Sequence, residues 1–218
     1  KEATRFGGIS ALFRFCSASA MTTATAAPIR LCEPSIGMNE PDKILQLLKW
    51  VSSSPEAYRT LNVLPKNRFH SVMMAGCWNL MDQSGMEVMD FCDKHEIEVH
   101  NAGIFGAGLL WGKSSNSSTS SSITTNYRYR SATKKEIEKR DKWESVALEF
   151  GVSLPALAIA FAYLPTSVTK VCFGATSPQQ VDQNVEAADE AMRKLLAVPT
   201  AIMQRVILGA NKKGLFED

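Results

Sequence analysis

Residues 101–113 read NAGIFGAGLLWGK, in which Gly103, Gly106, Gly108 and Gly112 follow one another closely. Glycines at such spacing let the backbone turn sharply and approach a ligand, because no Cβ stands in the way. Taken alone, the stretch reads equally well as an ordinary glycine-rich turn. The run that feeds it, IEVHN at 97–101, has strand character, so the glycines form a loop at a strand end.

The same unit recurs on both sides of that loop. Residues 35–38 are a short apolar run, and 41–51 then carry Ile44, Leu45, Leu47 and Leu48 at helical spacing. A second strand is expected at 69–76 (FHSVMMAG), followed by a helix at 85–95 with a stripe of Met86, Val88, Met89, Phe91 and Cys92. Residues 113–126 (KSSNSSTSSSITTN) are too polar to offset their ordering entropy and are expected to form a mobile surface loop. Two helices follow, at 133–150 ended by Gly151 and at 153–163 opened by Ser153 with Pro155 in its first turn. Residues 168–173 (VTKVCF) are a fourth strand, Ser177-Pro178 opens a helix running through Met192, and 199–208 gives a last helix. Strands and helices are expected to alternate strictly, the mark of parallel βαβ units; right-handed crossovers then build either a barrel or a doubly wound sheet. Residues 35–218 read as one unit, without internal repeats, behind a separate segment 1–34.

With 218 residues, 45% of them hydrophobic, the chain is able to bury a sizeable core. Lys plus Arg total 24 against 22 Asp plus Glu, so no broad field draws nucleic acid or an anionic membrane, and a small-molecule partner is favoured. No stretch approaches the ~20 apolar residues of a membrane span. Cys16, Cys32, Cys77, Cys92 and Cys172 include no CxxC pair and no zinc-like spacing, so they are expected to be reduced thiols in a cytoplasmic compartment, with no metal. The chain starts at Lys1 rather than Met, and residues 2–32 set Arg5, Arg14 and Arg30 against Glu2 amid Ser, Ala and Thr. That composition is transit-like, which leaves organellar targeting as an alternative, but a truncated or mis-spliced segment gives the same look and is the stronger reading.

A second stretch bears on chemistry: GATSPQQVDQN at 174–184 leaves an apolar strand at a glycine and opens a helix at Ser-Pro. The exposed N–H groups and positive dipole end of such a helix suit a phosphate, although a simple N-cap is the weightier reading of this stretch by itself. In this order and spacing, the two stretches resemble the seventh and eighth strand ends of aldo-keto reductases, nearest to the aldose and L-galactose dehydrogenase-like members. IGMNE at 36–40 is similar to that family's fifth-strand end, and AGCWNLMDQSGMEVMDFCDKHEIEVHNAG at 75–103 to its sixth strand through its seventh. The resemblance spans nearly all of residues 35–210.

The resemblance implies an α/β fold, the C-terminal half of a TIM-type (β/α)8 barrel, with NADP or NAD lying across the C-terminal strand ends. It makes 35–218 a partial NADP-dependent oxidoreductase domain. It places Asn39 on the nicotinamide carboxamide. Gly103, Ile104, Phe105 and Gly106 would form the loop near the pyrophosphate and nicotinamide, Phe105 being equally readable as core. Thr176, Gln180, Gln183 and Asn184 would hold the adenosine end. Gln183 departs from a common Glu, and Gln180 stands where some members use Arg; without an Arg to grip a 2′-phosphate, a preference for NADP over NAD is not implied.

The family's proton-donating Tyr, with its Lys, Asp and His, comes from the first four strands, and none of those motifs is present. Tyr58, Tyr127, Tyr129 and Tyr163 are given no catalytic role, and His70, His95 and His100 are read as structural or solvated. Only 34 residues precede the fifth-strand-like segment, so the first half of the barrel is expected to be absent. A half barrel opens two strand edges and its inner face to water, and the chain is expected to be marginal alone, to aggregate, or to self-associate through those edges. The leading reading is an oxidoreductase acting on an aldose or other carbonyl or alcohol substrate. The alternative is a non-catalytic homologue keeping a nucleotide-binding or protein-interaction surface. A flavodoxin-like binder comes third, and the lack of a GxGxxG after a first strand counts against a Rossmann domain.

Overall fold

The computed structural model describes residues 35–53, 69–111, 126–128 and 130–196. Segment 1–34, Tyr58, Gly112, the Ser/Thr stretch up to residue 125, Tyr129 and the helix expected at 199–208 lie outside the described residues.

Strand β1 (Ser35–Met38) is followed by α1 (Pro41–Ser53), β2 (Ser71–Ala75), α2 (Met86–Lys94) and β3 (Glu98–Ala102). A 3-10 turn at Leu109–Trp111 comes next, then the two short strands β4 (Asn126–Tyr127) and β5 (Arg130–Ser131). The remainder is α3 (Lys134–Glu149), α4 (Leu154–Ala162), β6 (Val168–Cys172) and α5 (Pro178–Ala191), which runs into a π-helical turn at Met192–Leu196. Strands β1, β2, β3 and β6 form one parallel sheet in that order, while β4 and β5 pair antiparallel by themselves. Four parallel strands joined through helices are an arc of a (β/α) barrel, and the sheet's C-terminal strand ends all lie on one side.

Each strand end is set by its residues. Val72 and Met74 of β2 and Val99 and Asn101 of β3 are buried on one face, while Met73 between them is 41% exposed on the other. Helix α1 buries Ile44, Leu48 and Val51 at i, i+4 and i+7, leaving Leu45 and Leu47 half-buried. Helix α2 buries Val88, Met89 and Cys92, leaves Met86 exposed, and stacks Phe91 on His95 with ring centroids 4.2 Å apart. Thr133 opens α3 with a capping box: its hydroxyl accepts from the Glu136 N–H, and the Glu136 carboxylate accepts from the Thr133 N–H at 2.7 Å. Ser153 and Ser177 cap α4 and α5 with Pro in the first turn of each. Gly151, at φ +63°, ends α3 in the left-handed conformation that glycine adopts at no steric cost.

Strict alternation does not hold. Between β3 and β6 the chain makes a hairpin and two successive helices instead of one crossover helix. The reason lies in α4, LPALAIAFA, every residue of which is buried. A helix apolar all round must be covered on every side; α5 and the Leu109–Trp111 turn pack against it, and α3 adds cover with Trp143 against Phe161 at 6.3 Å between centroids. Strands as short as β4 and β5 carry no readable period, which is why the hairpin is not legible in the sequence. The helix expected to end at Met192 instead loosens into the π-helical turn there, where Leu195 is buried. No single described helix is long and apolar enough to cross a membrane; α3 and α4 pass such a test only as a pair, bent by 94°.

Candidate functional site at the strand ends

Because the strands run in register, Met38 beside Met74, Ala75 beside Ala102 and Ala102 beside Cys172, their C-terminal ends form a single rim. Asn39 leaves β1 at one end of it, Gly76 and Gly103 leave β2 and β3 in the middle, and the 173–177 turn leaves β6 at the other. Three strand spacings put the ends of this rim about 14 Å apart, a span suited to an elongated ligand.

At the centre, Gly103 has φ +69°, and a Cβ there would lie 2.9 Å from the backbone nitrogen of Gly76. That nitrogen donates to the Ala102 carbonyl at 2.9 Å, so the two loops meet backbone to backbone. The loop that follows is largely bonded to itself: the N–H of Gly106 donates to the Gly103 carbonyl, and those of Gly108 and Leu110 donate to that of Phe105. Ile104 is fully buried, and Phe105 packs edge-on against Trp111 at 5.1 Å and against Phe173 at 5.4 Å. The side chains of both therefore lie in the core, where the Phe105–Phe173 contact ties the loop after β3 to the end of β6, and Gly103 is exposed.

At the β6 end the sequence-expected residues shape their own turn. Asn184, 7% exposed, donates its Nδ2–H to the Gly174 carbonyl at 3.3 Å. The Gln180 Oε1 accepts from the Thr176 N–H at 2.7 Å and from its hydroxyl at 3.0 Å, while the Ser177 hydroxyl accepts from the Gln180 N–H at 3.2 Å. Gln183 is exposed on the first turns of α5, and Asn39 is exposed at the far end of the rim. A Cβ on Gly76 or Gly174 would meet nothing within 4 Å, so both strand ends open onto space. The helix start, its dipole and these amide groups fit a phosphate-bearing nucleotide. Residues 174–192 contain no Lys or Arg; Arg193 and Lys194, further along, pair with Asp189 at 3.2 Å and Glu190 at 2.9 Å.

Sequence reasoning missed several residues that hold this rim. Asn101, buried at the end of β3, donates its Nδ2–H groups to the carbonyls of Trp78 at 3.0 Å and Ala162 at 3.4 Å, joining β3 to the turn after β2 and to α4. A polar residue in phase with buried Val99 was the available sign of it. Arg128 pairs with Asp82, and Arg130 bridges Glu136 at 2.9 and 2.6 Å; both lie over the ring of buried Tyr127. Asp82 and Arg128 are 46 residues apart, and no local pattern announces such a pair. The hydrogen bonds from Arg130 hold the Glu136 carboxyl down at about 2. Burial, with Glu136 nearby, pushes the Tyr127 hydroxyl up, which makes it a poorer proton donor near neutrality.

The histidines stand away from the rim. Glu98, at the first position of β3, lies 3.6 Å from the Nε2 atoms of both His70 and His100 and accepts from the Thr169 hydroxyl at 3.1 Å; Lys170 lies 3.2 Å from His100. Partial burial raises the Glu98 carboxyl, but the Thr169 hydroxyl, the neighbouring His70 and His100 rings and Lys170 outweigh it and leave it below the ordinary value. Burial pushes the Cys77 thiol up and the Cys92 thiol to about 12, so both are unreactive at neutral pH. No group of His, Cys, Asp and Glu suited to a metal ion occurs among the described residues.

A family model described as the aldo/keto reductase family matches residues 51–195. A curated protein named pyridoxal 4-dehydrogenase, from Microbacterium luteolum, is 26% identical over 114 residues, which are 52% of this chain and 31% of that protein. An aldo-keto reductase from Bacillus halodurans, solved in its holo form, is 23% identical with a TM-score of 0.43 over 72% of this chain and 47% of its own. A glycerol dehydrogenase from Gluconobacter oxydans is 18% identical with a TM-score of 0.42, over 74% of this chain and 59% of its own. The chain thus spans about a third of the length of the curated relative and roughly half that of the two solved ones.

Proposed function

Because this chain belongs to the aldo/keto reductase family, we propose that its strand-end rim is one wall of a nicotinamide-nucleotide site in an oxidoreductase that interconverts a carbonyl and an alcohol, an aldose being the substrate class nearest to the sequence resemblance. The observation that carries the reading is the convergence on one rim of Asn39, the Gly103–Gly106 loop and the Thr176–Asn184 turn, which are far apart in sequence. Asn39 would hold the nicotinamide carboxamide, the exposed backbone at Gly103 the pyrophosphate side, with Gly106 buried beneath Tyr127 and shaping that loop, and Thr176, Gln180, Gln183 and Asn184 the adenosine end. The nucleotide supplies the hydride; these residues bind it, orient it and keep its ring at the strand ends, where barrel chemistry occurs.

The described residues provide binding rather than proton transfer. Tyr127 is buried with a raised hydroxyl, and the His70–Glu98–His100 group lies towards the N-terminal ends of the strands. This favours a second reading, a homologue that binds nucleotide without catalysis, or one whose acid comes from elsewhere. Titration of the chain with NADH and NADPH, following nucleotide fluorescence and thermal midpoint, tests the site. Saturable binding is expected, with about 2.7 kcal/mol of stabilisation at a hundredfold excess over the dissociation constant; no binding by either nucleotide overturns it. Turnover of aldoses by the same sample separates the catalytic reading from the binding one.

A further inference from the structure

Arg128, at the tip of the β4–β5 hairpin, has φ +51°, in the left-handed region that residues other than glycine rarely adopt. Such a backbone persists where surrounding contacts fix it. Here the guanidinium pairs with the Asp82 carboxylate and lies 5.4 Å from the centre of the Tyr127 ring. The Tyr127 ring in turn covers Gly106 so closely that a Cβ there would sit 3.0 Å from its Cε2. Asp82 belongs to the turn after β2, where its Oδ1 accepts from the Ser84 N–H at 2.8 Å and its own N–H donates to Asn79. Behind the hairpin, the paired bonds from Arg130 to Glu136 fasten it to the start of α3. Two short strands thus join the turn after β2, the glycine loop after β3 and the first turn of α3.

We infer that Arg128 is a positioning residue: through Asp82 on one side and through Tyr127 and Gly106 on the other, it fixes the glycine loop at the rim and thereby sets nucleotide affinity without itself touching the nucleotide. The inference rests on the reading of that rim as a nicotinamide-nucleotide site. An exposed arginine beside such a rim has an obvious rival role, direct contact with phosphate. The two differ in what Asp82 does. A phosphate-binding Arg128 would be restrained by Asp82, whereas a positioning Arg128 depends on it.

The test compares the unaltered chain with Arg128→Asp, Asp82→Arg and the exchanged double variant, measuring the NADH dissociation constant by fluorescence and amide hydrogen exchange over residues 103–111 without nucleotide. Each single change is expected to speed exchange in that loop and to weaken NADH binding by roughly three- to tenfold, and the exchanged pair to restore both to within about twofold. Strand β2 should keep its protection throughout, which separates loop positioning from general destabilisation. If either single change unfolds the chain, Arg128→Gln, which keeps most of the stem and removes the charge, takes its place and must still speed loop exchange. Unaltered loop exchange in the single variants overturns the inference. So does restored exchange with affinity still lost, which assigns Arg128 to phosphate. If the unaltered chain binds no nucleotide, the proposed function fails, and the exchange data alone decide whether Arg128 holds the loop.

Discussion

The amide of Asn184 ties helix α5 back to the strand end of β6, beside the bonds among Thr176, Ser177 and Gln180 that shape the same turn. Its Nδ2–H bond runs from a buried side chain to the carbonyl of exposed Gly174, and a hydrogen bond of this kind contributes about 1 kcal/mol net. Asn184→Ala is therefore expected to weaken NADH binding by roughly fivefold while leaving α5 helical by circular dichroism; unchanged affinity would remove Asn184 from the site. Glu136 is decisive in a different way. Its carboxyl is held at about 2 against an ordinary value of 4.5, first by the hydrogen bonds from Arg130 and further by those from Thr133. A carboxyl with a lowered pKa in the folded chain contributes stability that is fully present above about pH 4.5 and is lost as the pH falls towards 2. Glu136→Gln should accordingly lower the thermal midpoint at pH 7, and the gap from the unaltered chain should close across that interval. A gap independent of pH would mean that the contact acts by packing rather than charge.

At the scale of elements, the junction between β2 and β3 depends on two backbones approaching where no Cβ fits. Gly103→Ala must accept both a left-handed backbone, costing about 1–2 kcal/mol, and an atom 2.9 Å from the Gly76 nitrogen. The urea midpoint is expected to drop by more than Gly151→Ala produces, since Gly151 shares the left-handed conformation but has open space around it; equal losses would show that the close approach is relaxed at no cost. This contrast also shows what the sequence could disclose. The clustered glycines announced a turn at a strand end, but the partner, Gly76, lies in another unit and no local pattern names it. Strands β1, β2, β3 and β6 and all five described helices were legible from local signals: an apolar stripe in α1 and α2, a Thr133 cap and a Gly151 stop in α3, and a Ser cap with Pro in the first turn in α4 and α5. The hairpin was not legible, because its order comes from Tyr127 on Gly106 and from Arg128 on Asp82, contacts across many residues. Among the expected site residues, no local pattern shows which side chains turn inward or bond within the turn: Ile104 and Phe105 bury theirs beside the rim, and Gln180 bonds Thr176.

For the molecule as a whole, the distribution of charge bears on which nucleotide the proposed site would accept. The formal net charge is +2, yet the cations of the described elements around the rim are engaged: Lys43 with Glu40, Arg128 with Asp82, and Arg130 with Glu136. Helix α5 brings Asp182 and Glu186 rather than any cation to its first turns. A 2′-phosphate there would meet a helix dipole and neutral amides, with carboxylates close by, whereas a 2′-hydroxyl is served by amides alone. NADH is therefore expected to bind more tightly than NADPH. Gln180→Arg adds the missing charge at the helix start while giving up the acceptor for Thr176, so it should weaken NADH slightly and strengthen NADPH by roughly tenfold. The gain should shrink as salt rises, because a partly exposed ion pair is screened. Dissociation constants for both nucleotides, measured on both chains at low and high salt, check the argument. An unaltered chain that prefers NADPH would place a 2′-phosphate partner outside α5, and the loss of preference in Gln180→Arg without any NADPH gain would mean that the adenosine end does not lie at this helix start.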